Sequence, residues 1–264
     1  MNKKNELSCT SQNLIAVSRT FAKARKQMSL AEQKLFAYAL SFVRFTEDFS
    51  GVVWLDKKKV AKILNVNADT DHLSQNMYRQ IKNITKNSYI TFTDVNGKEY
   101  GNGFLVSSID VKERKGYVRL SIDSRYLQHF SQLKKDYITL WAEDIYKMNS
   151  ERSVQFYEFL RLKTYMENDT NSIVLTADEL KELFNMLPDA YTQESGVFRR
   201  DHFESKVLNP ICEDLTGSKM ITLLRQENGL LYKKVKEGNA VVGYKFSWTY
   251  ERIPFDGQVI GESA

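Results

Sequence analysis

Apolar residues recur along this chain in two successive sets, and each set predicts the same series of elements. Helical spacing of the apolar positions predicts three helices in each half, and the second set follows the first by about 120 to 130 residues. Each predicted helix is preceded by a Ser, Thr or Asp, residue types that commonly cap a helix N-terminus: Ser29, Asp56 and Asp71, then Ser150, Thr176 and Asp201. The chain is therefore predicted to contain one fold twice.

The apolar stripes of the corresponding helices also match. In the second helix of each half, three apolar positions recur in the same order: Val60, Ile63 and Leu64, then Leu180, Leu183 and Phe184. In the third helix four positions recur: Leu73, Met77, Ile81 and Ile84, then Phe203, Val207, Ile211 and Leu215. Such a stripe buries one side of a helix and leaves the other side open to solvent or to a ligand.

The residues after each third helix alternate between apolar and polar, which predicts β-strands. The predicted strands are 89–93, 104–111 and 117–122 in the first half, then 220–224, 230–235 and 241–248 in the second. Asn96-Gly97 and Gly238-Asn239 are predicted turns in equivalent positions. Three helices followed by a hairpin is the order of a winged helix. The predicted fold class is α+β, with two tandem winged-helix domains, each a helical bundle with a β-hairpin wing.

The same pattern divides the chain into four regions. We expect a flexible basic arm over 1–28, an N-terminal winged helix over 29–135, a C-terminal winged helix over 136–250 and a disordered tail over 251–264. Residues 124–149 are rich in apolar side chains and contain no Gly or Pro. This composition favours packed structure at the domain junction over a loose linker.

Charge is unevenly distributed along the chain. Residues 1–148 contain 24 Lys and Arg against 15 Asp and Glu, a net charge of +9, whereas residues 149–264 contain 14 against 18, a net charge of −4. Within the second half, residues 199–245 contain nine basic residues against six acidic ones. This distribution fits a nucleic-acid partner, although unevenly charged faces also occur on proteins that have none.

The sequence gives no indication of a membrane segment or an export signal. No apolar run approaches the roughly 20 residues that cross a bilayer, and the N-terminal residues lack the apolar core of a secretion signal. Two cysteines, Cys9 and Cys212, form neither a disulfide framework nor a metal-binding pair. We expect a cytoplasmic protein without membrane contact, in which Cys212 is a small core residue.

The residue patterns of common enzymes are also missing. The sequence has no phosphate-binding loop, and His72, His129 and His202 lie far apart. A nicking initiator of the rolling-circle kind needs a His pair for its metal beside a nucleophilic tyrosine. We therefore expect no catalytic residue, no metal and no cofactor, and a protein that is not an enzyme.

Basic and polar residues follow the outward side of the third helix of the second half. Arg forms paired hydrogen bonds with guanine, Asn with adenine, and Lys or Ser contacts phosphates. A solvated helix face has a similar composition, but the position before a hairpin favours DNA. Pro210 is expected to kink or split this helix near Asn209. The candidate DNA-binding residues are Arg199, Arg200, His202, Ser205, Lys206 and Asn209.

Two further basic groups are candidates for DNA contact. Lys233 and Lys234 predict a basic wing that meets phosphates or a minor groove, although lysines on an edge strand also discourage aggregation. In the first half, Arg79, Lys82 and Lys86 lie on the outward side of the third helix. These three could contact the DNA backbone, and an exposed solubilising face is the alternative.

Three stretches of the chain resemble the iteron-binding initiator (Rep) proteins of theta-replicating plasmids, which are built of two winged helices. Residues 17–43 (VSRTFAKARKQMSLAEQKLFAYALSFV) look like the opening helix of that family. Residues 137–162 (YITLWAEDIYKMNSERSVQFYEFLRL) are similar to its inter-domain segment. Residues 198–215 (FRRDHFESKVLNPICEDL) resemble its second recognition helix, including the proline.

The resemblance implies a DNA-binding initiator of plasmid replication that binds direct repeats (iterons) at the origin and helps to open it. It implies that the C-terminal domain is the main reader of the repeats, while the N-terminal domain contacts phosphates through Arg79, Lys82 and Lys86. It also implies dimers that autoregulate, and host replication initiator and helicase proteins as partners besides double-stranded DNA. Two rival functions stay open: a winged-helix transcription repressor and a metal-dependent nicking initiator.

Overall fold

A computed structural model of the protein describes residues 13–44, 48–64, 82–93, 98–110 and 116–253. The chain divides into two compact units, with the boundary between Tyr146 and Lys147. The third helix of the first half is predicted from Asp71 to Ile84, and most of it falls in 65–81, outside the described residues. The Asn96-Gly97 turn and the predicted tail beyond residue 253 lie outside them as well.

Strands and helices follow one another along the first unit. Its described strands are β1 (Leu14–Ser18), β2 (Arg25–Gln27), β3 (Val52–Asp56), β4 (Tyr89–Thr93), β5 (Glu99–Phe104), β6 (Val106–Asp110), β7 (Tyr117–Ile122) and β8 (Tyr137–Trp141). Its described helices are α1 (Arg19–Lys23), α2 (Leu30–Leu40), α3 (Lys57–Ile63), α4 (82–87), a 3-10 helix (Ser124–His129) and α5 (Ala142–Lys147).

Helices α2 and α3 begin where the sequence predicts. The Ser29 hydroxyl accepts a hydrogen bond from the Glu32 N–H at 3.4 Å, and the Glu32 carboxylate accepts one from the Ser29 N–H at 2.7 Å. Asp56 accepts the Lys59 N–H at 2.9 Å. These side chains satisfy N–H groups that a helix start leaves without intrahelical partners. The apolar positions behind these caps are buried: Leu35, Phe36, Ala39, Leu40, Val43 and Val60.

The three-stranded sheet β3-β7-β6 is the winged-helix sheet of the first unit. Its central strand β7 places Leu120 opposite Val53 of β3 and opposite Ile109 of β6. Strands β4 and β5, which flank the predicted Asn96-Gly97 turn, belong with β2 to a different sheet, in which β4 pairs with both β2 and β5. The predicted equivalence of Asn96-Gly97 with Gly238-Asn239 is therefore wrong, because a turn signal does not tell which sheet the flanking strands join.

Residues 14–27 belong to the first unit and do not form an arm. Strand β1 pairs antiparallel with β8, from Leu14 opposite Trp141 to Ser18 opposite Tyr137. Ile15 and Val17 are buried. The predicted arm is wrong for this segment, and the predicted boundary at 135/136 falls too early, because β8 completes the first unit. The pairing joins residues 119 to 127 positions apart, which local sequence patterns do not reveal.

The second unit has the helices and sheet of a second winged helix. Its elements are α6 (Glu151–Leu162), β9 (Asn171–Leu175), α7 (Ala177–Leu183), α8 (Arg200–Phe203), a π-helical turn (Glu204–Leu208), α9 (Asn209–Leu215), β10 (Ile221–Leu223), β11 (Lys233–Glu237) and β12 (Ala240–Tyr250). The segments α8, π turn and α9 follow one another without a break, and we call them together the third helix (200–215). Thr176, a predicted helix start, forms a capping box with Glu179 at the start of α7.

Strand β12 is the centre of the second sheet. It pairs with β9 along one side, where Phe246 lies opposite Ile173. It pairs with β11 and β10 along the other side, where Lys245 lies opposite Lys233 and Trp248 opposite Leu223. This is the arrangement of β3-β7-β6 in the first unit. The core beneath the sheet is aromatic: Phe156, Tyr157, Phe203, Tyr232, Tyr244, Phe246 and Trp248 are buried.

Candidate nucleic-acid interface

The third helix is amphipathic in the way its sequence predicts. Its stripe is fully buried, with Phe203 and Leu215 at 0%, Val207 at 1% and Ile211 at 2% exposure. The polar positions on the opposite side are exposed: Arg199, His202, Ser205 and Lys206. These four follow one another at intervals of three or four residues, apart from the neighbours Ser205 and Lys206, so they share one face of the helix. This exposed face can meet a groove while the buried stripe anchors the helix to the sheet.

Arg200 lies at the edge of the buried side. It precedes Phe203 by three residues and Glu204 by four, and it is half-buried. Burial raises the pKa of the Tyr244 hydroxyl, negative Glu204 adds to that effect, and the positive charge of Arg200 opposes it. Arg200 therefore lies partly against the protein, whereas Arg199 is exposed.

Pro210 does not split the third helix. A proline lacks an N–H and its ring clashes with the carbonyl four residues earlier in a regular α-helix. Here a π turn directly precedes it, in which the Asn209 N–H donates to the carbonyl of Glu204. The wider turn accommodates the proline, and helical structure continues through α9.

Glu204 connects the third helix to the wing strands. Its Oε2 lies 2.7 Å from Lys234 Nζ, and its Oε1 accepts a hydrogen bond from the Tyr244 hydroxyl at 3.2 Å. Lys234, predicted as a DNA contact, thus has an intramolecular partner. The sequence reading missed Glu204, although its position three residues before Val207 places it on the buried side of the helix.

Asn209 also has a partner within the unit. Its Oδ1 accepts a hydrogen bond from the Tyr232 hydroxyl at 3.0 Å, and the residue is half-buried. Pairing with adenine requires this oxygen as an acceptor together with the side-chain NH₂ as a donor. Asn209 is therefore less available for adenine than its residue type suggests.

The wing of the second unit carries exposed lysines. Lys233 and Lys236 are exposed in β11. Lys245 of β12, which sequence reasoning missed, is exposed and lies directly opposite Lys233. Like charges on directly opposite residues disfavour a β-sheet unless an anion lies near them.

The first unit contributes basic residues from two helices. Lys82 and Lys86 are exposed on α4, whereas Arg79 lies outside the described residues. Helix α3 begins with three lysines, and its Lys58 and Lys62 are exposed one turn apart. Sequence reasoning did not single these out. The signal was available in the sequence. Lysines at a helix N-terminus interact unfavourably with the helix dipole, so three of them there indicate a role other than helix stability.

The described residues contain no group of three or more His, Cys, Asp or Glu side chains that could hold a metal ion. Cys212 is buried, and burial raises the pKa of its thiol to about 12. It is the core residue that the sequence predicts. In the described part of the chain, no helix has the length and apolar character needed to cross a membrane.

Two winged-helix units, each with basic residues on exposed helix faces, define a tandem winged-helix protein of the kind that binds DNA. The family model described as "Initiator Replication protein, WH1" matches residues 14–161, and the model described as "Initiator Rep protein, WH2" matches residues 176–248. The chain belongs to this family of replication initiators. The predicted resemblance and the predicted fold class are confirmed.

One solved structure, that of the Pi initiator protein, has the same fold. The Pi initiator protein, whose crystal structure is a complex with iteron DNA, has a TM-score of 0.63 and 18% identity, over 92% of this chain and 100% of that chain. A structure of domains 2 and 3 of RctB has a TM-score of 0.46 and 13% identity, over 91% of this chain and 92% of that chain. No curated protein matches the chain in sequence.

Proposed function

We propose that this replication initiator binds directly repeated iteron sites in the duplex of a plasmid origin and helps to open it. The observation that carries the proposal is the exposed face of Arg199, His202, Ser205 and Lys206, held by the buried stripe of the third helix in the family's second winged helix. Side chains of these types read base edges and hold phosphates when a helix lies in a major groove. The crystallised complex of the Pi initiator with iteron DNA supports the same choice of ligand.

The two units divide the work in this proposal. The second unit reads the repeat through its third helix, and Lys233 and Lys236 of its wing meet the flanking phosphates. The first unit holds the DNA backbone through Lys82 and Lys86, with Arg79 as a further candidate. The exposed Lys58 and Lys62 of α3 extend this phosphate-binding surface. Phosphate contacts of this kind supply affinity, whereas base contacts supply specificity.

The protein acts without enzymatic chemistry in this proposal. The sequence contains neither a phosphate-binding loop for ATP nor a closely spaced His pair for a nicking metal site. The free energy for opening the origin then comes from DNA binding and bending, which strains the duplex by several kcal/mol. We expect the protein to act in the cytoplasm, with host replication initiator and helicase proteins as further partners.

Self-association through the first unit is part of the proposal. Among the described strands, β5 pairs only with β4, so its other edge can accept a strand. Tyr100 and Phe104 on β5 are 62% and 43% exposed. Exposed aromatic residues on an edge strand favour pairing with a second copy. Such dimers would autoregulate, while monomers bind the origin.

A footprint on the DNA that flanks its own gene tests the proposed function. We expect the full-length protein to protect several direct repeats spaced by about two helical turns. A single protected palindrome would favour a transcription repressor instead. Incubation with supercoiled origin DNA and Mg²⁺ provides the second test, because relaxed product with protein attached to DNA through a tyrosine would overturn the non-enzymatic mechanism.

A further inference from the structure

The carboxylate of Glu204 is a buried charge that touches both wing strands. Its side chain is 10% exposed, yet it accepts from Lys234 of β11 at 2.7 Å and from Tyr244 of β12 at 3.2 Å. Taking a carboxylate out of water is costly, and an apolar side chain of similar volume commonly gives equal or greater stability in such a place. A role in stability alone therefore does not account for this charged pair.

These contacts lie at the two ends of the π turn. Glu204 is the first residue of the turn, and its carbonyl accepts the Asn209 N–H that closes it. At the other end, Asn209 accepts a hydrogen bond from Tyr232, directly before β11. The Tyr232 and Tyr244 rings pack edge to face with their centroids 5.5 Å apart. The wing side of the sheet thus holds the widened turn at both ends.

The π turn sets the relative directions of the side chains before and after it. A π turn contains about one residue more than an α-helical turn, and each residue of an α-helix rotates by about 100°. Because of the widened turn, the directions of Arg199 and His202 relative to α9 differ by about this angle from those in a continuous α-helix. The contacts of Glu204 therefore bear directly on which polar side chains share the exposed face.

We propose that Glu204 and Lys234 are a positioning pair that determines DNA-sequence specificity. The pair holds the π turn against the wing, so that Arg199, His202 and Lys206 meet the base edges together. Lys234 then acts through Glu204 and not on a phosphate, which leaves Lys233 and Lys236 as the phosphate contacts of β11. This inference rests on the proposed function, DNA binding by the second unit.

Glu204→Gln tests the pair because the amide keeps an acceptor for Tyr244 and loses the ion pair. We expect affinity for an origin repeat to fall roughly tenfold, the equivalent of one charge-assisted hydrogen bond. Affinity for random DNA should stay the same or rise slightly, because one negative charge is removed near a polyanion. A wild-type ratio of specific to random binding in this variant would overturn the positioning role.

Two matched variants separate positioning from charge and from stability. Glu213→Gln removes an exposed carboxylate from the same helix, and we expect it to leave the ratio of specific to random binding unchanged. Leu160→Ala lowers the stability of the second unit through a buried residue of α6, and the folded variant should also keep the ratio. If either control lowered the ratio as much as Glu204→Gln, the inference would be overturned.

The salt dependence of binding distinguishes the roles of the two neighbouring lysines. Each phosphate contact contributes about 0.9 to the slope of log affinity against log salt. Lys233→Gln should therefore make the slope less steep by about that amount, whereas Lys234→Gln should leave the slope unchanged and lower the specific affinity. Equal loss of slope in both variants would make Lys234 a phosphate contact and contradict the pair.

The double variant Glu204→Gln/Lys234→Gln completes the cycle. Lys234→Gln alone leaves a buried charge without its cation, but two neutral amides can form a hydrogen bond with each other. The double variant should therefore lose less specificity than the two single losses combined. If the loss of specificity in the double variant equalled the sum of the two single losses, the proposed pair would be overturned. If the wild-type protein itself preferred no repeat, the proposed function would fail, whereas failure in the variants alone overturns only the positioning role.

Discussion

Helices α3 and α7 take the same place in the two winged helices but carry opposite charge. Each follows a strand, begins with a side-chain cap and buries its central apolar residue, Val60 in α3 and Leu180 in α7. Their sequences are KKKVAKI and ADELKEL. The shared apolar stripe determines the fold, whereas the exposed residues of each helix determine which ligands it can bind.

The lysine of α7 does not change this contrast. Lys181 is buried, and its Nζ lies 3.2 Å from Asp178 Oδ1, 2.7 Å from the carbonyl oxygen of Pro188 and 4.8 Å from the ring centre of Phe198, so it offsets one of the three carboxylates of α7. The charged side chains that α7 exposes are those of Asp178, Glu179 and Glu182. A DNA backbone would be attracted to α3 and repelled by α7. The comparison therefore predicts that the first unit binds phosphates broadly, while the second binds through its third helix and wing.

The largest expected effect concerns the stripe that the two helices share. Leu180→Ala should lower the free energy of unfolding of the second unit by about 2 to 5 kcal/mol, because it opens a cavity in a fully buried site. Chemical denaturation of the full chain measures this loss. Glu182→Gln on the exposed side of α7 is the control, with an expected change within about 0.5 kcal/mol. A small change in the free energy of unfolding for Leu180→Ala would contradict the buried position of Leu180, on which the equivalence of α7 with α3 rests.

The next effect concerns the exposed face of the third helix. Arg199→Ala should cost about 1 to 3 kcal/mol of binding free energy at an origin repeat and little on random DNA, because a base contact is lost. Competition titrations with the two DNAs measure the difference. Arg225→Ala removes an exposed arginine elsewhere in the unit and should leave both affinities nearly unchanged. Equal losses on both DNAs would assign Arg199 to a phosphate.

A smaller effect sharpens the contrast in charge between the units. Lys58→Gln/Lys62→Gln should make the slope of log affinity against log salt less steep by about 0.9 for each lysine that contacts a phosphate. The ratio of specific to random binding should stay unchanged, because phosphates carry no sequence information. Lys147→Gln, an exposed lysine outside the predicted faces, is the control. An unchanged slope in the α3 variant would contradict the role assigned to that helix.

The smallest expected effect is a pH dependence of the stability of the first unit. In the first unit, His129 packs among Phe21, Phe92 and Phe130, and burial lowers its pKa. The unfolded chain then binds a proton more readily than the folded unit, so stability is fully present above the ordinary histidine pKa of about 6.5 and falls as the pH drops below it. Thermal unfolding between about pH 7.5 and 5.5 measures this. His129→Phe should weaken the pH dependence of stability. If the variant and the wild-type protein had the same pH profile, the assignment of this dependence to His129 would be contradicted.

The sequence was sufficient for features that depend on neighbours along the chain. Capping residues such as Ser29 and Thr176 and the stripe of Phe203, Val207 and Ile211 follow from local spacing, and the structure has each of them. The resemblance to the replication initiators rested on contiguous stretches of the same kind, and the family models confirm it.

The features that the sequence did not predict depend on contacts between distant residues. Strand β1 pairs with β8, so Leu14 finds its partner at Trp141. Lys234 and Asn209 were assigned to DNA by residue type, but Glu204 and Tyr232 are their partners in the structure. A side chain that suits DNA also suits a buried polar partner, and only the tertiary fold decides between the two.

The affinity ratio between an origin repeat and the same DNA with the repeat scrambled tests the central claim most directly. Equilibrium titration of the full-length protein at a fixed, physiological salt concentration gives both affinities. If the exposed face of the third helix reads base sequence, the repeat should bind roughly a thousandfold or more tightly than the scrambled DNA. Equal affinities would show that the basic faces bind only phosphates, and would contradict the account.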